Sequence, residues 1–294
     1  MISVCIPIHN YYVLPLVQSI AAQSDDVEIV CIDDGSSQEY IERNRPIADL
    51  GQYIVLGKNV GRACVRNLFL QYAKGEYLLF LDDDCIVPEG FIDRYFEAVK
   101  KNPDVVVGGR VYDRRFNDRA HRLRYKYGLR VECRSAEERG REPYRSFMTN
   151  NFLVSRNVMD NIRFDERLTG YGHEDTLFGY RLKQHGVNIM HIDNPVTNAD
   201  VETNAIFLDK SVEAVESLSK IYDVMQDDDD FCRSVRLLHT YRFLRRAGLC
   251  QLVFVAFRCV RSCTKAMLES GCCISLKIFN FYKLGIFIEN RLNR

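Results

Sequence analysis

The run GEYLLFLDDDC at residues 75–85 constrains this chain more than any other segment. Five apolar or aromatic residues, Tyr77, Leu78, Leu79, Phe80 and Leu81, lead directly into Asp82, Asp83 and Asp84. A continuous apolar run, opened by Gly-Glu and closed by charge, fits a strand buried inside a parallel sheet. Three adjacent carboxylates repel one another in a folded protein unless a cation is shared between them. The carboxyl ends of strands are also where open α/β sheets bind ligands. A solvated acidic turn is the plainer alternative, but such turns seldom follow so apolar a strand.

The same grammar recurs through the first 110 residues. Apolar, β-branched segments at 2–8, 27–32, 53–56, 78–81 and 105–107 read as strands. Helical spacing at 13–23, 61–73 and 91–100 alternates with them. That alternation predicts an α/β fold with a doubly wound, mostly parallel central sheet flanked by helices. Segment 110–147 is rich in Arg, Tyr and Glu, and reads as a helix plus a mobile loop. Residues 147–155 read as a returning strand, 174–185 as a helix, 187–192 as a last strand and 203–222 as an amphipathic helix. The acidic run 227–230 marks a boundary. The expected division is a catalytic domain at 1–225 and a basic, amphipathic helical region at 226–294.

Formal net charge is zero, yet it is unevenly distributed: residues 231–294 hold 12 Lys/Arg against 2 Asp/Glu. Such a basic tail implies an anionic surface as partner. Its cations are interrupted by core-like apolar residues, which argues against nucleic acid and for an anionic bilayer surface. Packing on the acidic catalytic part is the competing reading. No stretch is long and apolar enough to span a bilayer, and a strand pattern beginning at Ile2 sets the expectation of no signal peptide. Eleven cysteines without zinc-type spacing, including the neighbours Cys272 and Cys273, fit a reducing cytoplasm.

Four motifs carry chemistry. Asp34, at the end of the second strand in IDDGSS, can accept a hydrogen bond from a base or a ribose. In KNVGRACVRN, Arg62 and Arg66 stand one helical turn apart near a helix start, suited to a diphosphate. The triple aspartate suits a hard cation, Mg²⁺ or Mn²⁺, completed by diphosphate oxygens and water. In GYGHED, glycines deliver Glu174 and Asp175 to the start of a helix, where a carboxylate could deprotonate an acceptor hydroxyl.

Taken in order, these motifs resemble the inverting family 2 glycosyltransferases of GT-A fold, over roughly residues 1–205. The opening VCIPIHN is similar to that family's first strand, so Pro7, His9 and Asn10 would line the nucleoside. By the same resemblance Asp34 would bind uracil or another base, and Asp83 would contact ribose. Asp84 would hold the metal with Asp82 beside it, Asp175 would be the general base, and Glu174 would contact the acceptor. The implied reaction moves a sugar from a nucleotide-sugar, most simply a UDP-sugar, to a glycan or lipid-linked glycan of the bacterial surface-polysaccharide type. Many relatives carry a His after the last strand; here Asn198 occupies the place, and an amide oxygen is the weaker ligand. His191 alternates within a strand and reads as structural. The implied setting is cytoplasmic, peripheral to the inner leaflet. The rival readings are a degenerate nucleotide-sugar-binding or partner-binding module, and a nucleotidyltransferase. The latter would more typically place a Gly-rich basic loop where Ile8-His9-Asn10 stands.

Overall fold

The computed structural model describes residues 1–294 except Thr169, Cys273 and Arg294, so the Cys272-Cys273 pair lies partly outside the described residues. The chain forms two compact units. The first comprises Met1–Asp113, Val131–Thr169 and Glu174–Asp200; the second comprises Arg114–Arg130, Gly170–His173 and Val201–Arg294.

The first unit is built on a seven-stranded sheet. Its strands are β1 (Ile2–Ile8), β2 (Val27–Asp33), β3 (Gln52–Val55), β4 (Tyr77–Leu81), β6 (Val105–Val107), β8 (Asn151–Ser155) and β9 (Ile189–His191). The spatial order is β3-β2-β1-β4-β8-β6-β9. All neighbours are parallel except β8, which runs antiparallel to both β4 and β6. A smaller sheet joins β5 (Cys85–Ile86), β10 (Val196–Asn198) and β7 (Arg110–Val111). Helices α1 (Leu14–Ala21), α2 (Gln38–Asn44), α3 (Arg62–Tyr72), α4 (Phe91–Val99), α6 (Ala136–Gly140), α7 (Arg156–Asn161) and α8 (Glu174–Gln184) complete the unit. This is the mostly parallel, GT-A type sheet expected from the sequence.

Strand β4 shows why its sequence is apolar without alternation. Side chains of successive residues point to opposite faces of a sheet. Leu79 and Leu81 enter one core, with Ile6, Val17 and Phe91. Leu78 and Phe80 enter the other, with Phe69, Phe152 and Phe178. Phe80 stacks on Phe152 at 4.9 Å and meets Phe69 edge-on at 5.6 Å. Both faces are covered, so every position from Leu78 to Leu81 must be apolar. Each such side chain contributes about 1.5–3 kcal/mol by burial.

The second unit is helical: α5 (Arg122–Tyr127), α9 (Asn204–Met225), α10 (Asp229–Ser234), α11 (Arg236–Arg246), α12 (Cys250–Ser270) and α13 (Leu276–Leu292). Thr203 caps α9 by accepting from the Ile206 amide. Asn204 anchors the unit's early segment, accepting from the Leu123 amide and donating to the Arg119 carbonyl, both at 2.8 Å. Helices α12 and α13 meet at Gly285, where a Cβ would lie 2.2 Å from the Phe257 ring, so the crossing needs glycine. The expected boundary at 225/226 is drawn differently by the contacts. Helix α9 and residues 114–130 group with the C-terminal helices, because α9 packs its apolar face on α12 and α13. Segment 110–147, expected to be a helix and a mobile loop, is ordered into β7, short helical turns, α5 and α6.

Candidate active site

The strand order reverses between β1 and β4: the chain builds outward from β1 to β2 and β3, then crosses to the other side. Such a switch point opens a crevice at the carboxyl ends of the two strands. His9 leaves β1 there and Asp82, Asp83 and Asp84 leave β4. The His9 amide donates to Asp83 Oδ2 at 3.2 Å, joining the two strand ends.

Around this point the loops are tied by side chains. Asn10, at φ +52°, donates its amide to Ser36 Oγ and accepts from the Ser37 amide, each at 2.8 Å. It thereby stitches β1 to the turn after β2. Asp33 accepts from the Ser36 amide and the Tyr53 hydroxyl. Asp34 is buried and accepts from the Val60 and Gly61 amides, at 2.7 and 3.0 Å. These bonds fix the loop before α3, so both carboxylate oxygens expected to face a base are engaged with the chain itself. Gly35 makes this closure feasible: at φ +68° a Cβ would sit 2.5 Å from the Asn59 nitrogen. Pro7 is half-buried within β1, and His9 Nδ1 lies 2.9 Å from the Asp34 carbonyl oxygen.

The triple aspartate divides its labour. Asp82 Oδ1 accepts from Arg66 Nη2 at 3.0 Å. Asp83 is pushed up to about 7 by burial, then by the charges of Asp84 and Asp82. Asp84 Oδ2 accepts from Asn198 Nδ2 at 2.7 Å. Tyr11, which sequence reasoning missed, faces the same charges; burial, then Asp84, Asp200 and Asp83, push its hydroxyl up to about 12.

Two sequence expectations change here. Arg66 was expected to hold a diphosphate. It is among the largest fully buried side chains, with its guanidinium directed at Asp82, at Glu174 Oε1 3.7 Å away, and at the Arg62 carbonyl. It is a strut between the end of β4 and the start of α8. Arg62 keeps a half-exposed guanidinium, 3.9 Å from Glu174. Asn198 was expected to offer its amide oxygen to a cation. That oxygen instead accepts from Arg110 Nε at 2.9 Å and from Arg110 Nη2. A guanidinium only donates, so the amide must turn its oxygen away from Asp84 and its NH₂ toward it. Arg110 also lies 3.4 Å from Glu132 and over the Tyr112 ring. No motif announced Arg110, because β5, β7 and β10 are too short to leave a periodic signal. His191 is structural as expected, its ring between Arg139 and the Pro143 carbonyl.

At α8, Gly172 (φ +90°) and His173 (φ +68°) turn the chain so that the helix starts on Glu174. Glu174 is buried, and its Oε2 has no hydrogen-bond partner among the described residues. Asp175 accepts from the Thr176 amide at 2.6 Å. Burial, then the neighbouring Glu174, hold its carboxyl well above the usual carboxylate range. Such a group is a stronger base than a solvated aspartate.

Among the described residues no three His, Cys, Asp or Glu side chains converge as a ready-made cage. Asp83 and Asp84 are adjacent, oxygen-donating and mutually repelling. That donor set fits a hard cation of Mg²⁺ or Mn²⁺ type held by one or two carboxylates with ligand phosphates and water.

The glycosyl transferase family 2 model matches residues 3–164, more than half of the chain. This chain belongs to glycosyl transferase family 2. Among its relatives, glycosyltransferase GlyG of Streptococcus pneumoniae serotype 4 is 32% identical over 119 residues, covering 37% of this chain and 38% of that protein. The minor teichoic acid biosynthesis protein GgaB of Bacillus subtilis is 28% identical over 189 residues, 56% of this chain and 19% of its own length. The matched segment thus spans less than half of either relative. Among solved structures, the mannosyltransferase PcManGT of Pyrobaculum calidifontis, in complex with GDP-Man and Mn²⁺, superposes with a TM-score of 0.57. The two are 14% identical, and the alignment covers 100% of this chain and 87% of that one. The likeness is one of fold.

Proposed function

We propose that this family 2 chain transfers a sugar from a nucleotide-sugar, most simply a UDP-sugar, to a hydroxyl of a glycan or lipid-linked glycan, with inversion. The observation that carries the reading is the pairing of two differently prepared acidic groups in one unit. Asp83 and Asp84 repel each other at the switch point, while Asp175 is a desolvated carboxyl at the start of α8. The first pair suits a cation and a diphosphate; the second suits proton removal.

Asp84, with Asp83 or Asp82, would hold Mg²⁺ or Mn²⁺, which when bound supplies charge neutralisation to a leaving diphosphate. Asp175 takes the proton of the acceptor hydroxyl. The acceptor oxygen then forms its bond to the anomeric carbon as the bond to the diphosphate oxygen breaks. The nucleoside diphosphate leaves with that electron pair, and attack from the opposite face inverts the centre. Glu174 orients the acceptor, and Arg62 lies near enough to the same helix start to meet the diphosphate. The Asn10 and Asp34 ties keep the nucleoside loop in place, with His9 and Pro7 along its floor. The relative GgaB, named for minor teichoic acid biosynthesis, favours an acceptor of the bacterial polysaccharide class. Peripheral association with the inner leaflet through 231–294 completes the reading, and no described helix is long and apolar enough to cross a membrane.

A thermal-shift screen of nucleotide-sugars with Mn²⁺ or Mg²⁺ tests class, base and metal together. Asp175→Asn should bind the donor yet transfer nothing, and Asp84→Ala should lose metal-dependent donor binding. Full transfer by either variant removes the role assigned to it.

A further inference from the structure

Residues 231–268 carry eight arginines and lysines and no aspartate or glutamate. Helix α11 sets His239, Arg242, Phe243 and Arg246 along one face, at the spacing of helical neighbours. Leu238 and Tyr241 fill the buried face. The outward four, with Asp229 and Arg233 of α10, line a pocket of about 140 Å³. Its one carboxylate, Asp229, is shared by Arg233 and Arg242, so Arg246 adds uncompensated positive charge. Arg236, Arg246 and Arg258 make no ion pair with any described residue.

Exposed apolar side chains gather in the same stretch. Of fifteen large hydrophobic side chains exposed among the described residues, five lie between 243 and 260: Phe243, Leu249, Leu252, Val255 and Val260. Phe243 is 65% exposed and Leu252 67%. On α12, Phe257, Thr264 and Leu268 face inward, and Leu252 and Val255 face out. The turn between the helices passes through Gly248 at φ +71°, which brings the two apolar sets to one bend of the chain.

We propose that the α11–α12 bend is a docking surface for an anionic phospholipid bilayer, with the α10–α11 pocket taking a headgroup phosphate. Phe243, Leu249, Leu252 and Val255 enter the boundary of the acyl chains, and Arg236, Arg246 and Arg258 stay at headgroup level. Cations flanking solvent-facing apolar side chains, with no intervening acid, are what an interfacial helix requires. A second copy of this chain is the poorer occupant, since a two-fold contact would press the same arginines against each other. The proposal deepens the peripheral-membrane reading above and does not depend on the transfer chemistry.

Flotation of the full chain with vesicles tests it. Vesicles of equal parts phosphatidylglycerol and phosphatidylcholine should carry the protein, and pure phosphatidylcholine vesicles should not. Neutralising each surface cation should weaken binding about fivefold, so Arg246→Gln with Arg258→Gln should lose about twenty-fivefold. Leu252→Ser with Val255→Ser should lose at least about tenfold. The proposal is overturned if the wild type stays with neither vesicle, if it floats equally with both, or if these variants float like the wild type. A dimer in light scattering that the same substitutions dissolve also overturns it, in favour of a second copy. The nucleotide-sugar thermal shift should be intact in every variant. A chain that floats but binds no nucleotide-sugar would instead sink the transfer reading and leave this one standing.

Discussion

Replacing Arg66 by methionine is the sharpest test of the site's architecture. The Arg66 side chain is 2% exposed, hydrogen-bonded to Asp82 at 3.0 Å and 3.7 Å from Glu174, itself 7% exposed. At 3.7 Å the Glu174 contact is a Coulombic one rather than a hydrogen bond. Two charges about 4 Å apart interact by about 4 kcal/mol at the effective dielectric of a protein, before desolvation is subtracted. Methionine keeps the aliphatic volume but removes the buried cation beside Glu174 and Asp82, leaving Glu174 only the half-exposed Arg62, 3.9 Å away. Breaking a buried pair in this way costs about 3–5 kcal/mol. That is a large share of the ~5–15 kcal/mol typical of a folded domain. Urea unfolding followed by circular dichroism should show a lower midpoint at unchanged slope. Combining Arg66→Met with Glu174→Gln should recover part of the loss, a coupling of about 0.5–3 kcal/mol. A diphosphate-binding Arg66 would behave otherwise: the methionine variant would keep its stability and raise the KM for the donor. A loss below about 1 kcal/mol, or no coupling to Glu174, refutes the strut.

Asp175 links function to pH. Its folded-state proton affinity is raised, so the stability it contributes is full below the unfolded carboxyl value, about 3.9, and is lost as pH rises toward neutrality. Thermal melts from pH 4 to 8 should therefore fall more steeply for the wild type than for Asp175→Asn, by on the order of a kcal/mol. The acidic limb of kcat/KM should lie above the usual carboxylate range, and Glu174→Gln should move it down by removing the second cause of the shift; an unmoved limb counts against Asp175 as the base. Asn198→His should not strengthen Mn²⁺ affinity measured by electron paramagnetic resonance, because Arg110 faces that position; a clear gain would show that the Arg110 contact yields to the metal. Gly35→Ala should cost roughly 2 kcal/mol or more in melting experiments, from its left-handed backbone and the 2.5 Å approach to Asn59.

Much of the fold was legible because it rests on local periodicity. The run at 77–81 announced a strand covered on both faces, and the alternation of strands and helices announced the parallel sheet. The reversed direction of β8 was not legible, since an apolar run does not record which way its strand runs. Neither was the small sheet, whose two- and three-residue strands are shorter than any period. The acidic groups of the site were legible by type: Asp34, Asp82, Asp83, Asp84, Glu174 and Asp175 all lie at element ends. Their occupancy was not.

By itself, the sequence determined the order of elements, the apolar faces and the places where carboxylates leave the sheet. These follow from side-chain spacing within a few residues. Tertiary structure alone decided which polar atoms are already engaged. Asp34 is taken by amides 26 and 27 residues away. Arg66 is taken by Asp82, 16 residues on, and by Glu174. Asn198 is turned by Arg110, 88 residues away. Hydrogen bonds saturate donors and acceptors through space, and a linear pattern of residues does not say which partners arrive first.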